Sequence, residues 1–146
     1  MKQVDEEIPL LAAVPMMQRI VYSCRDKSRF PYTRTQLYIF TMLSLRGSVT
    51  MKQVAEFIST SREQATRAVA PLVDDGYVER YTLPDNRLHV HLRLTEKGQA
   101  YFSQLVDDLS SRINDKLDQL LSDDDKADLK SAVHTIIRVL GNVEVC

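Results

Sequence analysis

A chain of 146 residues with 44% hydrophobic residues can fill the core of one compact domain with helical extensions, which excludes a disordered or collagen-like chain. The net charge is only −1, but it is unevenly distributed. Residues 1–95 carry 13 Lys and Arg against 10 Asp and Glu, whereas residues 96–146 carry 6 against 10. The acidic C-terminal part is therefore expected to face away from any phosphate backbone.

The apolar runs of the chain are too short for a membrane span. The runs at 8–17 and 133–140 are interrupted by polar residues or proline well before the roughly 20 residues needed to cross a bilayer. The N-terminus, MKQVDEEIPLL, is acidic where a secretory signal is basic. We therefore expect no membrane partner and a cytoplasmic location.

Apolar residues at spacings of three and four predict a first amphipathic helix from Leu10 to Cys24. A polar connection with Pro31 follows it. A second helix is predicted to begin at Thr33 or Arg34 and to end near Gly47, because glycine is common at helix C-termini.

Two helix starts lie close together in the centre of the chain. Thr50 precedes Gln53, and Ser61 precedes Gln64, each at the spacing of a capping box. A start signal repeated after so few residues predicts a short helix, a tight turn and another helix that ends near Gly76.

After Gly76 the apolar pattern alternates, which predicts a β-hairpin with its turn at Pro84-Asp85-Asn86. In the return strand, one face is apolar and the other is basic. The apolar face contains Leu88, Val90, Leu92 and Leu94, and the basic face contains Arg87, His89, His91 and Arg93. We expect the apolar face to pack on the core.

Two more helices are predicted, one from Thr95 and one from Ser122. The predicted fold is mainly α with a small β-hairpin wing, that is, a winged helix-turn-helix domain flanked by N- and C-terminal dimerisation helices. The three parts are an N-terminal dimerisation helix with its connection (1–33), a DNA-binding domain (34–95) and C-terminal dimerisation helices (96–146).

The second helix of the central pair is predicted to contact double-stranded DNA. A helix in the major groove, which is about 12 Å wide, needs small or hydrogen-bonding residues on its outward face. Arg67 suits a guanine edge and Gln64 suits adenine. At the hairpin tip, Arg87 is predicted to reach the minor groove or flanking phosphates, with Asp85 orienting it. The predicted DNA-binding residues are Ser61, Arg62, Gln64, Thr66, Arg67, Asp85 and Arg87.

The chain resembles the MarR family of bacterial regulators over nearly its whole length. The resemblance rests on three segments, TMKQVAEFISTSREQATRAVAPLVDDGYVER, PDNRLHVHLRLTEKG and LSDDDKADLKSAV. It implies a homodimer, interlocked through 1–33 and 96–146 of each chain, that binds a palindromic operator. It also implies a phenolic or other small-molecule effector bound where these segments meet the DNA-binding lobe. Repression by occluding a promoter is the simplest expected mechanism.

Three alternatives remain open. Arg67 lies four residues after Glu63, so the two side chains can pair on a solvated helix instead of contacting DNA. A thiol-based sensor would use Cys24, and a metal-based sensor would use His89 and His91. A winged-helix protein–protein interaction module would share the fold but have little DNA affinity.

The sequence contains no pattern that predicts an enzyme. It has no convincing nucleophile, acid–base pair or phosphate loop, and no cofactor is expected. Cys24 and Cys146 form no CxxC pair, so the fold is expected to hold without a disulfide framework.

Overall fold

The computed structural model describes residues 9–141, and the side chains from residue 11 onward, so Cys146 lies outside the described residues. The elements in chain order are α1 (Pro9–Ser23), α2 (Arg34–Arg46), β1 (Ser48–Thr50), α3 (Met51–Phe57), α4 (Arg62–Asp74), β2 (Val78–Leu83), β3 (Asn86–Leu94), α5 (Glu96–Leu120) and α6 (Asp123–Leu140). The predicted class, mainly helical with a small wing, is confirmed. None of the described helices combines the length and apolar character that a membrane span requires.

The chain divides into two compact units. One is Asp26–Asp107, and the other combines Met1–Arg25 with Asp108–Cys146. Helix α5 contributes residues to both units. The unit Asp26–Asp107 contains every element from α2 to β3, together with the connection before α2 and the first turns of α5.

Both ends of α2 lie where the sequence predicts them. At its start, the Thr33 side chain accepts from the Gln36 backbone N–H, and the Gln36 side chain accepts from the Thr33 N–H at 2.8 Å. At its end, Gly47 has a φ of 74° and its N–H donates to the Leu43 carbonyl. This φ strains any residue with a Cβ, which explains the glycine.

The two central helix starts are also confirmed. Thr50 and Gln53 form a complete capping box. The Ser61 hydroxyl oxygen accepts from the Gln64 N–H at 3.2 Å, but the Gln64 side-chain oxygen accepts from the Thr60 hydroxyl instead of completing a box. Capping-box spacing therefore predicted the starts of both α3 and α4. Only at α3 does the side chain of the third residue also accept a bond from the backbone N–H of the cap.

The sheet has three antiparallel strands in the order β1-β3-β2. Val49 of β1 pairs with Leu92, and Val78 of β2 pairs with Leu94. The sequence did not predict β1, because three residues between Gly47 and a helix cap are too few to show a strand pattern. Its pairing makes β3 the central strand.

The hairpin turn is shorter than predicted, since β2 ends at Leu83 and β3 begins at Asn86. The pairing is then irregular, because Thr82 pairs with Val90 whereas Leu83 pairs with Asn86. The three residues between these two pairs on β3, 87–89, form a bulge.

The apolar face of β3 is only partly buried. Leu92 and Leu94 lie in the core, but Val90 is 38% exposed and Leu88 is 92% exposed. The prediction that all four residues pack on the core is therefore wrong for these two. The bulge breaks the alternation of inward and outward side chains at Leu88. The hairpin also extends past the core, so Val90 is only partly covered.

The core of the unit Asp26–Asp107 joins the sheet to α2, α3 and α4. Its fully buried large side chains are Phe30, Ile39, Phe40, Leu43, Val49, Val54, Val69, Leu72, Val78 and Leu92. Gln36 is buried among them, and its Nε2 donates to the Ala68 carbonyl at 3.0 Å. This bond fixes α4 against α2.

The start of α5 is closely packed against the residues that lead into the wing. A Cβ on Gly98 would lie 2.0 Å from the Tyr77 carbonyl oxygen, so only glycine fits there. The Thr95 hydroxyl donates to the Gly76 carbonyl at 2.6 Å and accepts from the Gly98 N–H at 3.0 Å. Tyr101 stacks on Tyr77 at 4.4 Å, and burial raises the pKa of Tyr101 to about 12.

The helices of the other unit bury little of their apolar surface. Within the described residues, α6 has no buried residue, and α5 buries only Gly98 and Phe102, which both belong to the unit Asp26–Asp107. Large side chains with half or more of their surface exposed are Leu11, Met16, Leu120, Ile137, Val139 and Leu140.

Candidate nucleic-acid interface

Helix α4 separates a buried apolar face from an exposed polar face. Ala65, Val69 and Leu72 are buried, which places the intervening polar residues outward. Five of the predicted DNA-binding residues are on this helix or cap it. They are Ser61, Arg62, Gln64, Thr66 and Arg67, and all are exposed except Thr66, which is half-buried.

Two of these side chains have part of their hydrogen-bonding capacity used by bonds to α4 itself or to the residue before its cap. The Thr66 hydroxyl donates to the Arg62 carbonyl at 2.8 Å, which leaves its oxygen as an acceptor. The Gln64 side-chain oxygen accepts from Thr60, which leaves the amide nitrogen of Gln64 as a donor. The helix therefore presents both donors and acceptors to a ligand.

Arg67 forms an ion pair with Glu63, with 2.6 Å between the guanidinium Nη2 and the carboxylate Oε1. Each side chain is 75% exposed. The ion pair with Glu63, which is the alternative to a DNA contact by Arg67, is therefore present. Exposed helix pairs contribute only about 0.3–0.5 kcal/mol, so this one holds Arg67 weakly.

At the hairpin tip, Asp85 lies in the turn and Arg87 lies in the bulge, and both are exposed. Within residues 9–141, no hydrogen bond or ion pair joins them. The predicted orientation of Arg87 by Asp85 is therefore not seen. The Asn86 side-chain oxygen instead accepts from the Leu88 N–H at 3.3 Å and braces the start of β3.

A cleft of about 230 Å³ lies between α4 and the wing, beside the start of α3. Its lining comprises Met51 and Lys52 of α3, Arg62 and Thr66 of α4, and Arg80, Leu88, His89 and Val90 of the wing. The structure thus brings two of the predicted residues, Arg62 and Thr66, together with the hairpin. Asp85 and Arg87 are not part of the lining.

Sequence reasoning missed Lys52 and Arg80. Arg80 pairs with the buried Leu92, so it lies on the same sheet face as the core, beyond Val78. Following the alternation from Val78 along β2 would have found Arg80. Lys52 gives no comparable signal, because a lysine after a helix cap is ordinary.

Cys24, the residue that a thiol-based sensor would use, is buried. Its sulfur donates to the Arg112 carbonyl at 3.7 Å and lies 3.8 Å from the Ser23 hydroxyl. The Tyr32 hydroxyl donates to the Asp75 carboxylate, and burial together with this bond raises the pKa of Tyr32 well above its usual range.

The two wing histidines lie in different surroundings. His91 stacks on Tyr81 with 5.4 Å between the ring centroids, whereas His89 lines the cleft. Across the described part of the chain, no group of three or more His, Cys, Asp or Glu residues is placed to hold a metal ion.

Helices α2 to α4, the three-stranded sheet and the basic hairpin beside α4 together define a winged helix-turn-helix protein. Residues 32–90 match the model of the MarR family. This match agrees with the family that the sequence motifs predict.

Curated relatives support this assignment. The chain is 23% identical to the HTH-type transcriptional regulator PchR of Bacillus subtilis over 113 residues, which cover 72% of this chain and 64% of PchR. It is 22% identical to BilQ of Clostridioides difficile over 121 residues, covering 82% of this chain and 81% of BilQ. The matched region thus spans less than two thirds of PchR. Both relatives are transcriptional regulators, a class of protein that is not enzymatic.

Solved structures show the same fold. Wild-type apo MarR from E. coli superposes with a TM-score of 0.73 at 23% identity, covering 90% of this chain and 99% of that one. A mutant MarR from E. coli complexed with operator DNA gives a TM-score of 0.63 at 22% identity, covering 94% and 99%.

Proposed function

We propose that this chain is a MarR-family transcriptional regulator that binds double-stranded DNA sequence-specifically as a homodimer, with α4 in the major groove and the wing on the adjacent minor groove or backbone. The observation that carries the proposal is the polar outward face of α4 beside a cationic cleft shared with the wing. The neighbour bound to operator DNA has the same fold. The proposal retains the cytoplasmic location expected from the sequence.

The residues of α4 divide by chemistry. Arg67 can form two hydrogen bonds with the O6 and N7 atoms of guanine once it leaves Glu63. The amide nitrogen of Gln64 can donate to an adenine N7. Ser61 caps the helix start, where backbone amides and a partial positive charge favour a phosphate.

The homodimer is supported by the apolar surface that α1, α5 and α6 leave exposed. Leu11 is 75% exposed and Ile137 is 65% exposed. Fully burying one side chain of this size contributes about 1.5–3 kcal/mol, so a second copy that covers several of them would be stabilised. A twofold dimer presents α4 twice, and its operator should therefore be a palindrome.

We propose repression by promoter occlusion, with release of the DNA by a small phenolic or aromatic effector. A dimer seated on an operator that overlaps a promoter excludes the polymerase without further contacts. The support for the effector is the family resemblance, and the described residues assign no site to it.

Selection of bound duplexes from a random pool tests the proposal. We expect an enriched palindrome with half-sites about one helical turn, or about 10 base pairs, apart. The matched control is Arg67→Ala protein taken through the same selection, which should lose preference at one base pair in each half-site. A pool that shows no enrichment with the unaltered protein would overturn the proposed function.

A further inference from the structure

We propose that the cleft between α4 and the wing holds a backbone phosphate of the bound DNA, with Lys52, Arg62 and Arg80 as its cationic contacts. This inference rests on the proposed function and adds two residues, Lys52 and Arg80, that the recognition helix and the wing tip do not include. The cleft thereby becomes a third contact region between the other two.

The register of the sheet explains how an arginine comes to line this cleft. Along β2, Val78 and Arg80 lie on the face that packs on the core, opposite Leu94 and Leu92 respectively. The next residue of β2 on the same face is Thr82, which pairs with Val90, and Val90 is partly exposed. The inner face of the wing therefore changes from buried core to open cleft wall at Arg80, and its guanidinium lies at that boundary.

The charges around the cleft are not neutralised from within. Elsewhere on this unit, Arg67 pairs with Glu63 and Arg93 pairs with Glu79 at 2.5 Å. Within residues 9–141, by contrast, neither Arg62 nor Arg80 has a carboxylate within 4.0 Å. Lys52 forms an ion pair with Glu56 at 3.7 Å between Nζ and Oε1, but both side chains are well exposed, so the pair contributes little and can give way to another anion.

No acidic residue lines the cleft, which also contains the Thr66 hydroxyl and the His89 ring. Three cationic side chains with hydrogen-bonding neighbours, in a lining without a carboxylate, form a site for an oxyanion, and two of them are arginines suited to phosphate. Leu88 and Val90 add an apolar edge next to these charges. That combination fits a sugar–phosphate chain, whose charged phosphate alternates with a less polar sugar.

The location of the cleft favours DNA over a free anion. Its walls are the helix and the hairpin that the proposed function places in adjacent grooves, and the strand separating those grooves must pass between them. A volume of about 230 Å³ accommodates a phosphodiester group in that position.

The test is a salt series measured by fluorescence anisotropy with Lys52→Gln and Arg80→Gln. Each change removes a charge from an exposed side chain and keeps hydrogen-bonding capacity. For both the selected duplex and a random duplex, log K against log salt should become flatter by about one unit for each lost contact, or about two units in a dimer. Thermal unfolding should show that both variants remain folded.

The matched control is Arg93→Gln, which removes the same charge from the opposite face of the sheet. The change in its slope, relative to the unaltered protein, should be less than half of the change that Arg80→Gln produces. Equal slopes for Arg93→Gln and Arg80→Gln would overturn the proposal, because only the net charge would then matter. An unaltered slope in Arg80→Gln together with Arg80-dependent binding of inorganic phosphate would show a free-anion site and would also overturn it.

Failure of the cleft assignment can be distinguished from failure of the proposed function. If the DNA affinity of the unaltered protein depends steeply on salt and the cleft variants show the same slope, the cleft assignment fails and DNA binding stands. If the unaltered protein shows no salt-dependent DNA affinity, the proposed function fails as well.

Discussion

The ion pair between Glu63 and Arg67 allows the role of Arg67 to be decided by two single substitutions. If Arg67 contacts a base, Arg67→Ala removes a bidentate contact of about 1–3 kcal/mol from each half-site, or about 2–6 kcal/mol from a dimer. Glu63→Gln should act in the opposite direction. It frees Arg67 from an ion pair in which each side chain is 75% exposed, and such a pair is worth about 0.3–0.5 kcal/mol per protomer. For the two protomers of a dimer, DNA binding should therefore tighten about three- to five-fold.

Fluorescence anisotropy on the selected duplex and on a random duplex measures both effects. Arg67→Ala should weaken binding to the selected duplex more than to the random one, since a base contact carries sequence information. Thermal unfolding of each variant serves as the control, and the expected change is a few tenths of a kcal/mol. The reasoning is refuted if Glu63→Gln weakens DNA binding as much as Arg67→Ala does, because the pair itself would then be the functional unit.

Three further predictions concern the wing, the base of α5 and the exposed helices. Arg87→Ala should flatten the salt dependence of DNA binding by about two units per dimer in an anisotropy titration, and an unchanged slope would show that the wing tip does not touch DNA. Gly98→Ala should lower the free energy of unfolding by about 1–3 kcal/mol in denaturant melts, because its Cβ would meet a backbone carbonyl oxygen 2.0 Å away. Gly47→Ala is the control for the steric contact, because nothing lies within 4 Å of its Cβ, and its loss should come from the positive φ alone and be smaller than that of Gly98→Ala. Ile137→Asp should shift sedimentation at micromolar protein toward the monomer, and an unchanged mass would exclude this face from the interface.

The sequence predicted the helices well because their start signals are local. Thr50 and Ser61 accept from the backbone three residues later in the structure, as their spacing requires. The strand β1 and the bulge in β3 were missed for the opposite reason. Pairing between Val49 and Leu92 joins residues far apart in sequence, and no local pattern encodes it.

The candidate site was predicted only where it follows one helix. All outward residues of α4 could be read from its periodicity, including Arg67 and its alternative partner Glu63. The cleft needs α3, α4 and β2 together, so Lys52 and Arg80 became visible only with the fold. The exposure of Leu88 depended on the bulge, which a strict two-residue alternation cannot predict.

Methylation interference on the selected duplex tests the central claim, that α4 enters the major groove while the wing lies on the minor groove or backbone beside it. Methyl groups on guanine N7 block the major groove, and those on adenine N3 block the minor groove. We expect interfering guanines at two positions related by the operator dyad, about one helical turn apart, flanked by interfering adenines. Binding that tolerates methylation of every guanine in both half-sites would contradict the account.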